Sequence, residues 1–202
     1  MIGIVHTGTA NLQSIVSVLI KYSKKYKICE SEKDFKNISK IILPGIGSFK
    51  SFSKNIKKNN MNKAIHENVK SGIPILGICL GFHALFESSD EFGEHKGFGF
   101  LKGQVIDIKK INKNSLVPHV GWNECNLKKK SKFFINIGDK KNFYFTHSFS
   151  PINVEKSDIL ATTKNHSELI CAVESKNIIG VQFHPEKSQL YGLRLFENFF
   201  KI

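Results

Sequence analysis

Residues 73–78, Ile-Pro-Ile-Leu-Gly-Ile, form an apolar run that ends at Cys79, with Gly77 two residues before the cysteine and Gly81 two after it. A short apolar run bounded by turn residues reads as a buried strand. The two glycines permit a sharp strand-to-helix turn and a close backbone approach. Pro74 belongs near the start of the strand, where a missing amide hydrogen is tolerated. The pattern predicts a thiol at the end of a central strand. A helix over Leu80 to Phe86 would follow, its exposed first amides and dipole favouring a thiolate. A buried cysteine alone more often fills core volume; the flanking glycines are what favour a nucleophile.

A second apolar run, Ile178-Ile179-Gly180-Val181-Gln182-Phe183, leads into His184-Pro185-Glu186. Strand ends are where α/β proteins collect chemistry. The His184 imidazole could take a thiol proton and later return one to a leaving group. Glu186 could hold the useful tautomer, or simply point into water. Lys40-Ile41-Ile42-Leu43 is a further strand, ending at Pro44-Gly45-Ile46-Gly47. That glycine loop is either a plain turn or a source of a backbone amide for an oxyanion, with the amide of Leu80 as the other donor.

The rest of the chain supports an α/β arrangement. Ile2–Val5 and Tyr26–Cys29 read as strands, with a helix between them over the apolar positions Leu12, Ile15, Val16, Leu19 and Ile20, and Asn11 as its cap. Met61–Lys70 reads as a helix stopped near Gly72. Alternating strands and helices predict parallel strands. After Glu87 the pattern becomes strand-rich: Phe100-Leu101, Val105-Ile106, Phe143–Phe145, Ile159–Ala161 and the pair 168–174 and 177–182 are expected strands, and Gln189–Phe200 the closing helix. One domain over residues 1–202 fits best.

Composition excludes several classes. Apolar residues make up 41% of 202, with 17 Phe, enough for a large core. No apolar stretch reaches membrane-spanning length, and Met1–Val5 reads as a first strand rather than a signal peptide, so a cytoplasmic protein is expected. Cys29, Cys79, Cys125 and Cys171 lack paired metal-ligand spacing and read as reduced thiols. The formal charge is +13, but Arg194 is the sole arginine and the lysines are scattered. A solvated basic surface is therefore expected, not a nucleic-acid reader.

Taken together, these motifs resemble the class I glutamine amidotransferases, and more closely the glutaminase subunits of imidazole glycerol phosphate synthases. The resemblance runs through Asn11-Leu12, Leu43–Phe49, Gly77–Gly81, Leu85–Ser89, Val117–Asn123, Thr146–Ser148 and Gly180–Gln189. It implies a flavodoxin-like, mostly parallel sheet flanked by helices, with a strand-rich second half. It implies a triad of Cys79, His184 and Glu186, and an oxyanion and glutamine site from Gly45, Ile46, Gly47, Leu80, His83, His147, Ser148 and Phe149. It implies ammonia transfer to a (β/α)₈ cyclase subunit in a heterodimer, making imidazole glycerol phosphate and an aminoimidazole carboxamide ribotide, with no metal or organic cofactor. Asn11, Pro118, His119, Val120, Gly121, Trp122, Asn123, Lys187, Ser188 and Gln189 match the segments near that interface.

Three positions depart from the family pattern. His6 stands where an acidic residue is common, His83 where glutamine is usual, and Phe149 where tyrosine is frequent. A histidine cannot reproduce the donor–acceptor pair of an amide with the same geometry. The departures leave two alternatives open: a paralogue that supplies ammonia for amidating surface sugars, and a degenerate glutaminase that only regulates a partner.

Overall fold

The structure is a computed structural model and describes residues 1–8 and 12–202. The cap and interface expectations for Asn11 lie outside the described residues. The first half runs β1 (Ile2–Val5), α1 (Leu12–Lys21), β2 (Tyr26–Cys29), β3 (Lys40–Leu43), α2 (Phe49–Lys58), α3 (Met61–Lys70), β4 (Ile75–Ile78) and α4 (Leu80–His83). The second half contributes β5 (Ser88–Ser89), β6 (His95–Lys96), β7 (Gln104–Asp107), α5 (Ile108–Ile111), β8 (His119–Leu127), β9 (Lys141–His147), β10 (Phe149–Ile152), β11 (Ile159–Asn165), β12 (Ser167–Ser175), β13 (Ile178–Val181) and α6 (Gln189–Lys201).

Nine strands join in the order β2-β1-β3-β4-β13-β12-β11-β8-β9. The first five are parallel, as expected. From β13 onward each neighbour is antiparallel, which is how the strand-rich second half extends the same sheet. A smaller sheet, β10-β7-β5-β6, lies beside it. The β1, β4 and β13 strands are buried at every residue. Their continuous apolar runs follow from being covered on both faces. On one face lie Ile15, Leu19, Leu195, Phe196 and Phe199 of α1 and α6. On the other lie Phe49, Phe52, Ile56, Ile65 and Phe82 of α2, α3 and α4.

Three local expectations are corrected. The helix after Cys79 ends at His83, not Phe86. The carbonyls of Ala84, Leu85 and Phe86 accept instead from the amides of Phe98, Gly99, Phe100 and Leu101. Phe100-Leu101 is consequently a bend and not a strand. Helix α2 was not expected; Ser48 caps it by accepting from the Ser51 amide at 3.3 Å, and Phe49, Phe52 and Ile56 give it a buried stripe.

β3 and α4 approach each other closely. A Cβ on Gly81 would lie 1.8 Å from the Leu43 carbonyl oxygen. Gly72 has φ +93° but nothing within 4 Å of its Cβ position. In urea unfolding, Gly81→Ala is expected to cost about 3 kcal/mol or more through forced backbone movement, and Gly72→Ala about 1 kcal/mol through backbone strain. Equal losses would show that the close approach does not govern this region.

Candidate active site

β4 delivers Cys79 into an unusual backbone conformation, φ 54° and ψ −107°. A non-glycine residue with positive φ stores about 1–3 kcal/mol, tolerated only where the surroundings over-determine it. Here the Cys79 amide donates to the Val181 carbonyl at 2.8 Å and its carbonyl accepts from the His83 amide at 3.1 Å. Gly77 belongs to the same device, because its Cβ would meet the Gly81 carbonyl at 2.7 Å. The side chain is 8% exposed.

Beyond β13 the chain passes through Gln182 and Phe183 to His184. The Phe183 ring stacks on Phe143 with centroids 4.2 Å apart, and the His184 amide donates to the Tyr144 carbonyl. The 3-10 turn Pro185–Lys187 brings Glu186 back onto the ring. His184 Nδ1 donates to Glu186 Oε1 at 2.7 Å, with the two side chains 3% and 6% exposed. That bond holds one proton on Nδ1 whatever the charge of the ring; Nε2, which carries the exchangeable second proton, is buried and has no hydrogen-bond partner. Burial works against the charged ring, but the Cys79 sulfur and the Glu186 carboxylate outweigh it and raise the imidazole to about 10.

A cavity of about 390 Å³, a size suited to a small molecule, opens over these groups. Cys79, Leu80, His83, His184, Ile46 and Gly47 line it, together with Thr146, His147, Ser148 and Phe149 from the β9–β10 connection. Gly45 does not line it. Its Cβ position lies 2.8 Å from Leu80 Cβ, so this glycine lets the loop sit down on the turn. His147 Nδ1 donates to the Phe149 carbonyl and its Nε2 accepts from His119 Nδ1, both at 2.8 Å. Burial lowers both imidazoles, His147 well below the ordinary value, so the pair is neutral.

Three residues lining the cavity, Glu91, Phe92 and Thr146, and the buried Gln182 near Cys79 escaped sequence reasoning as site residues. Glu91 Oε2 accepts from the Phe49 amide at 2.8 Å, at the N-terminus of α2. Burial raises its carboxyl, and the Phe49 amide and His95 oppose that shift. Gln182 Nε2 lies 4.0 Å from Cys79 Sγ. Thr146 and Gln182 sit inside the motifs noted above, whereas no local pattern marks Glu91.

The expected interface residues divide. Val120 and Trp122 are 54% and 47% exposed on β8, and Lys187 Nζ sits 5.7 Å over the Tyr144 ring that neighbours Trp122. Pro118 borders the cavity, and Gly121, Asn123 and Gln189 are at least partly exposed. His119 and Ser188 are corrected to interior positions. His119 is held by His147, and Ser188 Oγ donates to the His184 carbonyl and accepts from the Tyr144 amide.

Fold and side chains together define an α/β protein with a Cys–His–Glu constellation at the carboxyl edge of its sheet. The model of the family described as glutamine amidotransferase class-I matches residues 4–202, and the chain belongs to that family. It is 37% identical over 204 residues to a Wolinella succinogenes protein named imidazole glycerol phosphate synthase subunit HisH, all of both chains being covered. A Sulfurimonas denitrificans protein of the same name is 40% identical over 203 residues, with 100% of this chain and 98% of that one covered. Among solved structures, PurLQS from Thermotoga maritima superposes with a TM-score of 0.77 at 19% identity, covering 99% of this chain and 97% of that one. A glutamine amidotransferase from Thermotoga maritima gives 0.67 at 17%, covering 99% and 82%. No described helix is long and apolar enough to cross a membrane.

If Glu186 holds the working tautomer of His184, Glu186→Gln is expected to lower the rate of Cys79 alkylation at pH 7 and to cut glutamine turnover about 10²–10⁴-fold. Turnover within twofold of the parent would remove Glu186 from that role.

Proposed function

We propose that this chain is the ammonia-producing subunit of an imidazole glycerol phosphate synthase. The reading is supported by one observation above the rest: a carboxylate-bound imidazole with a free Nε2 shares a cavity with a cysteine held on a strained strand-to-helix turn. Full-length relatives at 37% and 40% identity carry that synthase's name.

Glutamine enters with its side-chain amide carbon over Cys79. The thiolate attacks that carbon, and the carbonyl π pair moves onto oxygen. The amides of Leu80 and Gly47, both lining the cavity, are the candidate donors to that oxygen. The His184 imidazolium gives its Nε2 proton to the nitrogen, the C–N bond breaks, and ammonia leaves a glutamyl thioester. His184 then takes a proton from water as the water attacks. The C–S bond breaks with its electron pair returning to sulfur, and glutamate departs. Each step draws on side chains and backbone amides of this chain and on water.

Glu91 fits the α-ammonium of glutamine. Oε2 is engaged by the Phe49 amide, leaving Oε1 for a cation in the cavity. Glu91→Gln keeps an acceptor for Phe49 but loses the charge. It is expected to raise KM for glutamine about 10–100-fold with kcat nearly unchanged. A fall in kcat at constant KM would place Glu91 elsewhere in the cycle.

The partner in this proposal is a (β/α)₈ cyclase bound as a heterodimer over the Val120, Trp122 and Lys187 surface. The deciding experiment uses this chain co-purified with that cyclase and the phosphoribulosyl-formimino carboxamide ribotide acceptor, with products identified by mass. Glutamine should yield imidazole glycerol phosphate. Cys79→Ala should lose at least about 10⁴-fold of the glutamine-driven rate and keep the ammonia-driven rate. Turnover with ammonia but not glutamine by the parent complex would mark a regulatory subunit. Turnover with neither would point to a different acceptor, such as a surface sugar.

A further inference from the structure

Gln182 is fully buried, and its carboxamide has two hydrogen-bond partners among the described residues. One end lies 2.7 Å from His83 Nε2, the other 4.0 Å from Cys79 Sγ. A carboxamide has one accepting and one donating end, so whichever end meets His83 dictates what the sulfur sees. If Nε2 of His83 carries the proton, Gln182 Oε1 is held and the N–H bonds face Cys79. With the opposite tautomer the amide turns over and a carbonyl oxygen faces the sulfur, which repels a thiolate.

Burial pushes the His83 imidazole down to about 4, against the opposing effects of Gln182 and Phe149, so the ring is neutral and has a single proton to place. The Phe149 carbonyl beside it already accepts from His147 Nδ1 at 2.8 Å. That carbonyl keeps a second lone pair within reach of the ring, whereas Gln182 Oε1 has no other donor among the described residues. We propose that His83 is a positioning residue, which donates from Nε2 to Gln182 Oε1 and thereby locks the Gln182 carboxamide with its N–H bonds on the Cys79 sulfur. Thr146 supplies a carbonyl 3.9 Å from the same sulfur, an acceptor suited to the thiol and not to the thiolate. Gln182 is the complementary donor for the anion. The anion forms twice in the proposed cycle, before attack and again when the C–S bond of the second tetrahedral intermediate breaks. His83 thus acts on the nucleophile through Gln182.

The inference rests on the glutaminase reading for its role in turnover, but its first test needs neither glutamine nor a partner. The rate of Cys79 alkylation by iodoacetamide is measured against pH and located by peptide mass; Cys79 lines the cavity, and the other three cysteines do not. The titratable groups sharing the cavity are His83, Glu91, His147 and His184, so each profile is compared at constant ionic strength with the parent chain. His83→Leu and Gln182→Leu are each expected to move the midpoint up by about one pH unit, since the second removes the donor to the thiolate and the first frees the carboxamide to turn that donor away. The double variant should move it no further than either single one. His83→Gln, which still offers an N–H to Gln182 Oε1, should restore the parent midpoint. In the complex, Gln182→Leu should lower kcat about tenfold with KM for glutamine little changed. An unmoved midpoint in the leucine variants, additive shifts, or failure of His83→Gln to restore the profile would overturn the proposal. If His83→Leu does not fold, Gln182→Leu and His83→Gln carry the same comparison. Shifted profiles in a chain that cleaves no glutamine would sustain the geometry while sinking the glutaminase reading.

Discussion

The site depends on how closely α4 approaches the sheet. Leu43, Gly77 and Gly180 lie at one level on the adjacent strands β3, β4 and β13. A Cβ on Gly180 would meet Phe82 at 2.6 Å, and one on Gly77 would meet the Gly81 carbonyl. The two glycines therefore make a floor without side chains, and α4 drops onto it. This descent forces the chain to reverse within one residue, and Cys79 takes the positive φ that results. The strain is offset by the hydrogen bonds and packing around it, including Phe82 and Leu85, which are fully buried. The same strand order places the glycine loop after β3, the cysteine after β4 and the histidine after β13 side by side. Three segments distant in sequence become neighbours because their strands are neighbours.

Four buried histidines surround this point, and their partners separate them. His83, His119 and His147 are neutralised by burial, because none faces a carboxylate. His184 is buried too but is bound to Glu186 and lies beside sulfur, so its charged form is favoured. One pocket thus holds an imidazole that binds a proton tightly and others that serve as fixed hydrogen-bond partners. Environment, not residue type, assigns the roles.

The parts of this arrangement legible in the sequence are those whose signal is local. The runs ending at Leu43, Cys79 and His184 announce themselves by apolar length and flanking glycines. Long-range pairings leave no such trace. His83 meets Gln182 across 99 residues, and Glu91 meets Phe49 across 42. Helix α4 looked longer because Leu80–Phe86 is a good apolar run; what shortens it is the set of amides at residues 98–101. Strand β8 escaped notice because its pattern is inverted, with Val120 and Trp122 facing outward and His119 and Cys125 inward.

That inversion carries its own argument. An antiparallel strand ordinarily turns its apolar side to the core and its polar side to water. On β8 a tryptophan and a valine stay about half exposed, which costs solvation that the described residues offset only in part. Trp122 leans on Tyr144, and Lys187 lies over the same ring, so the patch begins one residue beyond Glu186. Pro118, at the other end of the segment, borders the cavity itself. A surface that starts beside Glu186, shows aromatic and aliphatic side chains and ends at the cavity suits the partner proposed above, which would cover the exit of a volatile, neutral product. Under that proposal, closing the exit with protein keeps ammonia from being protonated in bulk water.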